Sequence, residues 1–238
     1  MVRPLNTLLA ALPNDEYARL LPALTPIPFP LKKTFHKQGE KIDRVVFPSS
    51  GVASMVNVMS DGRVVEVATV GNEGALGSST VFLGGNIALA DAFVQVPGDA
   101  AALSMSAAAF TSELGRRGAF YDILGRYSQA LQALIMQSTA CNVLHSVEER
   151  CARWLLMTHD RVVGDDIRLT HEFLGTMLGA RRPTVSVVLG TLAKAGLIHN
   201  TTKKIVVANR KGLEEASCEC YETVRATFER LLPQRDVN

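Results

Sequence analysis

The sequence predicts an α+β chain made of an antiparallel strand module, one long helix and a small basic head. Three observations carry that reading. Between Thr34 and about Ser104, short apolar runs alternate with turns containing Gly, Asp, Ser or Pro. Ala119–Leu144 keeps a helical period without interruption. Leu169–Val207 holds two short amphipathic helical patterns joined by a tight bend, followed by a hairpin pattern.

At the N-terminal end, Asn6–Leu24 reads as a short helix, or as two pieces divided at Pro13, with Leu8, Leu9, Leu12, Leu20 and Leu21 as buried contacts. The strand pattern then covers Val45–Phe47, Val52–Val56, Val64–Ala68 and Ala92–Val96, with Asp61-Gly62 marking a hairpin. Many short strands without long helices between them imply a closed or double-sheet unit, because exposed edges must be hidden. Ser104–Leu114 reads as a short helix ending near Arg116-Arg117-Gly118.

In the long helix, Leu124, Leu131 and Ser138 are seven apart, with Tyr127, Leu134 and Cys141 three residues after each; Ile135 widens the stripe. These residues are expected to form a seam with a second copy, the alternative being a core helix of its own subunit. At 1.5 Å per residue the rod is roughly 39 Å long. A second helix, Val147–Val162, offers Trp154, Leu155 and Thr158 to a core.

The chain has 238 residues, is 47% hydrophobic and 20% charged, and carries a net charge of +2. That length supports one sizeable core and a second, smaller one. No apolar run is long enough to cross a bilayer, and Asp15-Glu16 interrupts any signal-peptide pattern, so a cytoplasmic location is expected. The four cysteines (Cys141, Cys151, Cys218, Cys220) do not suggest a disulfide framework. Cys218-Glu219-Cys220 is a lone C-x-C, which by itself cannot complete a tetrahedral metal site. Reduced structural thiols are expected, with redox or metal sensing as alternatives. No metal site or cofactor is predicted. His36, His145, His159, His171 and His199 have no ligand-like spacing with a partner. No P-loop, H-E-x-x-H or other catalytic motif is present, and no enzyme is expected.

Seven Lys or Arg and one acidic residue, Glu172, lie between Thr170 and Lys211. This local charge of +6 in a chain of total +2 marks a compact nucleic-acid-binding head. Thr170 can cap a helix through His171–Leu178, Gly175 is small where a second helix crosses, and Gly179 permits the bend. The next helix begins near Arg181–Pro183 and buries Val185, Val188, Leu189 and Leu192. That leaves Arg182, Pro183, Thr184 and Ser186 outward, suited to base edges in a major groove. Arg182 is the candidate for two hydrogen bonds to guanine. Thr170, Arg181, Lys203 and Lys204 are expected to hold phosphates. Gly196-Leu197-Ile198 and Lys203–Val207 would form a wing, making the head a winged helix-turn-helix. A protein-interaction module with a solvated basic face is the alternative.

With these residues in hand, the chain resembles the cyclic-nucleotide-receptor-like and fumarate/nitrate-reductase-regulator-like (Crp/Fnr) bacterial transcription factors over almost its full length. The resemblance rests on His36-Lys37-Gln38-Gly39-Glu40, on Gly71-Asn72-Glu73-Gly74-Ala75-Leu76-Gly77, on the long helix, and on Leu174-Gly175, Leu178–Ser186 and Ala195–Ile198. It implies a cyclic-nucleotide-binding-type β-roll or jelly roll at 1–115, a dimerisation and linker helix at 116–145, and the winged head with a helical extension at 146–238. It also implies a homodimer addressing a near-palindromic operator on double-stranded DNA and touching RNA polymerase. Arg182 falls at the family's guanine-reading arginine. Pro183 replaces a base-reading acidic residue, and Val187 stands where an arginine often lies, so the operator should depart from the usual consensus. The tail after Arg210 resembles a strand-and-helix extension of some branches.

The implied effector pocket involves Glu73, Gly74, Leu76, Gly77 and Asn86. Val81–Asp91 has no Lys or Arg to meet a cyclic phosphate, and Asp91 would repel one, so conventional cyclic AMP sensing is not expected. The alternatives are a cyclic nucleotide held at a non-standard phosphate site, another small molecule, a protein, or no effector at all.

Overall fold

Ten strands and ten helices are defined in a computed structural model that describes residues 3–201 and 204–232. The chain enters through α1 (Thr7–Ala10) and α2 (Asn14–Leu20), separated at Pro13. Leu8, Leu9, Leu12 and Leu20 are buried as expected, but Leu21 sits in a following single turn and is exposed.

The strand module comprises β1 (Thr25–Ile27), β2 (Thr34–His36), β3 (Arg44–Phe47), β4 (Val52–Val58), β5 (Val64–Val70), β6 (Asp91–Val96) and β7 (Ala102–Ser106), with α3 (Ser78–Phe82) inserted after β5. It forms two antiparallel sheets, ordered β1-β7-β3 and β2-β6-β4-β5, sharing one apolar core. The β4–β5 hairpin turns at Gly62, whose φ of 82° needs a glycine or a strained residue. Ser104–Ser106 belongs to β7 and not to a helix. Its residues pair with β3, and Ser106 then caps α4 (Ala107–Leu114) by accepting from the Ala109 amide.

The long helix α5 spans Ala119–Leu144, and α6 runs from Val147 to His159. Between them His145 and Ser146 are extended, and a reciprocal Ser146–Glu149 capping box starts α6. The head contains β8 (Asp166–Ile167), α7 (His171–Leu178), α8 (Arg182–Lys194), β9 (Ile198–Asn200) and β10 (Ile205–Val207), with sheet order β8-β10-β9. The tail is α9 (Arg210–Ala216) and α10 (Cys220–Leu231), so the strand expected in it is replaced by helix.

The expected seam on α5 requires a correction. Leu124, Tyr127, Leu131, Leu134, Ser138 and Cys141 are all buried within the chain itself, and Ile135 is half-buried. β5, α3, α4 and α10 occupy that face of the helix. The face left open is Gln129, Gln132, Met136, Thr139 and Val143, which repeats at intervals of three and four residues; Met136 is 66% and Val143 79% exposed.

The β2-β6-β4-β5 sheet is covered on both sides. Ser54, Glu66, Phe93 and Gln95 point toward the head region. Phe93 meets Phe173 edge-on at 6.1 Å between ring centroids, Ser54 Oγ lies 3.4 Å from Met177 Sδ, and Trp154 Nε1 donates to Glu66 Oε1 at 3.0 Å. Ser54 also bonds Glu66 Oε2 at 2.5 Å and contacts the Gln95 amide oxygen. Met55, Asn57, Val67 and Ala92 point the other way, into a cavity beneath α5. Strand alternation thus gives one sheet a cavity face and a head face.

Candidate nucleic-acid interface and effector cavity

The recognition geometry is built from local rules. Thr170 Oγ1 accepts from the Phe173 amide at 3.2 Å, fixing the first turn of α7. Gly179 ends that helix with φ 60°, the left-handed conformation the bend demands. A Cβ on Gly175 would lie 2.9 Å from the Ala180 carbonyl oxygen, so the crossing tolerates no side chain there. Pro183 sits in the first turn of α8, where its missing amide hydrogen is harmless. Val185, Val188, Leu189 and Leu192 are buried beneath.

This burial turns the opposite face of α8 outward. Arg181, Arg182, Pro183, Thr184 and Ser186 are all exposed, as is Val187. Neither arginine makes an ion pair among the described residues, so both guanidinium groups keep their donors for an external acceptor. His171 connects three pieces of the head: Nδ1 lies 3.2 Å from Ser186 Oγ and Nε2 2.9 Å from Asn200 Oδ1 on β9. No local sequence signal foretells that bridge, because its ends are 15 and 29 residues away.

Other basic residues are less available. Lys204 Nζ pairs with Asp166 at 2.5 Å. Arg210 is held by Asp160 at 2.7 Å, by Glu214 at 3.0 Å and by the Tyr221 hydroxyl at 2.6 Å. Lys203 lies outside the described residues.

The cavity beneath α5 has a volume of about 710 Å³. Its walls come from β2, β4, β5, β6, α3 and α5 and include Ile42, Leu76, Phe82, Leu89, Leu131 and Ile135. Among the described residues, no Lys, Arg, Asp or Glu lines it. The titratable side chain in its wall is His36, whose Nε2 lies 2.9 Å from the Arg44 carbonyl and whose pKa burial lowers, favouring the neutral ring.

Of the residues expected at an effector pocket, Leu76 and Gly77 line this cavity, whereas Glu73, Gly74 and Asn86 do not. Glu73 instead pairs with Arg161 at 2.9 Å and accepts from the Gly71 amide at 3.1 Å. Burial would raise its carboxyl, but the charge and hydrogen bonds of Arg161 hold it below the usual range. Glu73 therefore fastens the strand module to the end of α6. Asn86 accepts through its carbonyl from the Ile42 amide at 2.8 Å and lies at a separate surface depression.

All four cysteines are free and buried, but three of them are grouped in a way the sequence does not show. Cys218 and Cys220 are not an isolated C-x-C: they meet Cys141 and His145 at the end of α5, with the Cys141 and Cys218 sulfurs 3.5 Å apart. No spacing rule could reveal this, since the two halves are 77 residues apart in the chain.

Residues 149–216 match the Crp-like helix-turn-helix domain. Several solved structures share the fold. A CRP-family transcriptional regulator from Thermus thermophilus is 21% identical with a TM-score of 0.61, covering 80% of this chain and 96% of its own. FixK2 from Bradyrhizobium japonicum is 19% identical at TM-score 0.63, covering 82% and 98%. The c-di-GMP-responsive global regulator CLP from Xanthomonas campestris is 16% identical at TM-score 0.64, covering 82% and 99%. A search of curated protein sequences finds no significant match.

The head is a helix-turn-helix domain of the Crp-like kind, a module whose second helix is shaped for a DNA major groove. None of the described helices is long and apolar enough to cross a membrane. The strand module and long helix that precede this head share the fold of those regulators.

Proposed function

We propose that the chain works as a homodimer that reads a near-palindromic duplex, one α8 helix per half-site, under control of a small uncharged effector. The single observation that supports the reading most is the exposed row at the start of α8, whose two arginines make no ion pair among the described residues. Arg182 donates to guanine O6 and N7, Pro183 and the Thr184 methyl touch thymine, and Ser186, positioned by His171, meets a base edge. Arg181 and Thr170 bind phosphates. The Thr170 oxygen accepts the cap bond while its proton is left to donate. Lys204, and Lys203 beside it in sequence, follow the backbone once Lys204 exchanges Asp166 for phosphate.

The second copy joins along Gln129, Gln132, Met136, Thr139 and Val143, the open heptad-like face of α5. Three of these, Gln129, Gln132 and Met136, also line the cavity, so a partner helix would help close its mouth. An uncharged wall offers a cyclic phosphate no ion-pair partner and favours a neutral, largely apolar ligand. Such a ligand would shift a sheet whose other face holds the head, altering how the two α8 helices present themselves. RNA polymerase is the expected further partner on DNA.

Selection from a random duplex library with the purified chain tests this reading. Enrichment of a motif with two-fold symmetry is expected; no enriched motif, or one without a repeated half-site, contradicts it. Calorimetry with cyclic AMP should show no saturable micromolar binding.

A further inference from the structure

We propose that Cys141, His145, Cys218 and Cys220 bind one zinc ion, which clamps the C-terminal extension onto the end of α5. Cys141 and His145 stand one helical turn apart, and the turn before α10, with the first residue of that helix, brings Cys218 and Cys220 up to them. All four ligand atoms lie within 4.8 Å of one another. Cys141 Sγ is 3.5 Å from Cys218 Sγ, and Cys220 Sγ is 3.6 Å from His145 Nδ1. A tetrahedron with Zn–S of about 2.3 Å and Zn–N of about 2.0 Å has edges of roughly 3.4–3.8 Å, so small inward shifts would close this set around one ion.

The surroundings suit a closed structural site. The three cysteines are buried and form an apolar cluster of their own. His145 Nε2 lies 3.1 Å from Glu219 Oε2; that contact fixes the ring so that Nδ1 turns its lone pair toward the sulfurs. Gln137 Nε2 lies 3.0 Å from Cys220 Sγ and can donate to a thiolate. One divalent ion with three thiolates carries a net charge of −1, and the buried Arg153, whose charge acts on Cys141, offsets it. Soft thiolates with one imidazole select zinc over hard cations. Binding converts each protonated thiol to a thiolate, releasing up to three protons to solvent, with no change of oxidation state.

The position gives the site a regulatory consequence. His145 is the first of the two extended residues that separate α5 from α6, and α6 leads into the head. α10 lies against α5. An ion held by both therefore fixes the joint about which the head would swing.

The test uses the full chain, purified under reducing conditions with zinc and then dialysed. Elemental analysis should find about one zinc per chain, falling to roughly a tenth or less in Cys218→Ser and in His145→Ala, while Cys151→Ser keeps it. Cobalt added to the chelator-stripped wild type should give the thiolate charge-transfer and visible bands of a tetrahedral site. Zinc should also protect three of the four wild-type thiols from alkylation, a readout that does not depend on the variants folding. Hydrogen exchange in α10 and around His145 should rise on chelation. Reduced wild-type chain that takes up neither zinc nor cobalt stoichiometrically, or zinc lost equally in Cys151→Ser, overturns the proposal. A Cys141–Cys218 disulfide without metal uptake after reduction also overturns it and makes the pair a redox couple.

Discussion

Replacing Glu66 with Gln should abolish a loss of stability that the wild-type chain suffers as pH rises. The Glu66 carboxyl is enclosed between the strand module and α6, accepting from Trp154 and bonded to Ser54. Burial pushes it from an ordinary 4.5 up to about 7, against the opposing pull of those hydrogen bonds and of Arg153 and Arg161. Because the folded value is the higher one, the stabilisation from the protonated form is complete below 4.5 and is lost progressively as pH climbs to about 7. At 1.36 kcal/mol per unit, the loss is about 3 kcal/mol. Gln keeps both contacts without a proton to lose: its oxygen accepts from Trp154, and its amide donates to Ser54 Oγ, whose hydroxyl is then left to donate to the Gln95 amide oxygen. The variant should match wild type within about 1 kcal/mol near pH 4.5 and exceed it by about 3 kcal/mol at pH 8. Urea unfolding followed by fluorescence of Trp154, the single tryptophan, measures both values. A difference between the two proteins that stays constant across pH 4.5–8 would refute the reasoning.

Gly175→Ala places a methyl 2.9 Å from the Ala180 carbonyl oxygen. It should cost about 1–3 kcal/mol of head stability by forcing α7 and α8 apart, measurable by thermal unfolding. Met136→Glu sets two carboxylates against each other in the proposed dimer and should yield monomer in sedimentation equilibrium; an unchanged dimer would move the interface elsewhere. Arg181→Ala should weaken binding to every duplex by a similar factor and reduce the salt slope by about one, as anisotropy at several salt concentrations would record.

Where local chemistry decides structure, the sequence is a reliable guide. Thr170 as a cap, Gly179 as a left-handed stop and Pro183 in a first turn set the two helices of the head, and all three act over a few residues. The bounds of α5 are equally plain from its unbroken periodicity. Which face of α5 turns inward is not, because apolar residues fall on two stripes of the helix. The larger one, through Leu124, Leu131 and Leu134, is taken by the chain's own core, leaving the more polar one, through Gln132 and Met136, open. Ser104–Ser106 reads as helix because its alanine-rich continuation is helical, yet pairing with β3 decides its state. The glycine-rich loop around Glu73 suggests a place beside an effector; its partner Arg161 lies 88 residues away. The Cys/His cluster is hidden for the same reason, being assembled only by the docking of α10 on α5.

The central claim concerns the outward face of α8, and one pair of binding curves tests it most directly. Wild type and Arg182→Ala would be titrated by anisotropy against the selected duplex and against a version with the contacted guanine replaced. Wild type should lose about 1–3 kcal/mol on the altered duplex, while Arg182→Ala should bind both duplexes alike and remain folded. A folded Arg182→Ala chain that still separates the two duplexes as wild type does would contradict the assignment.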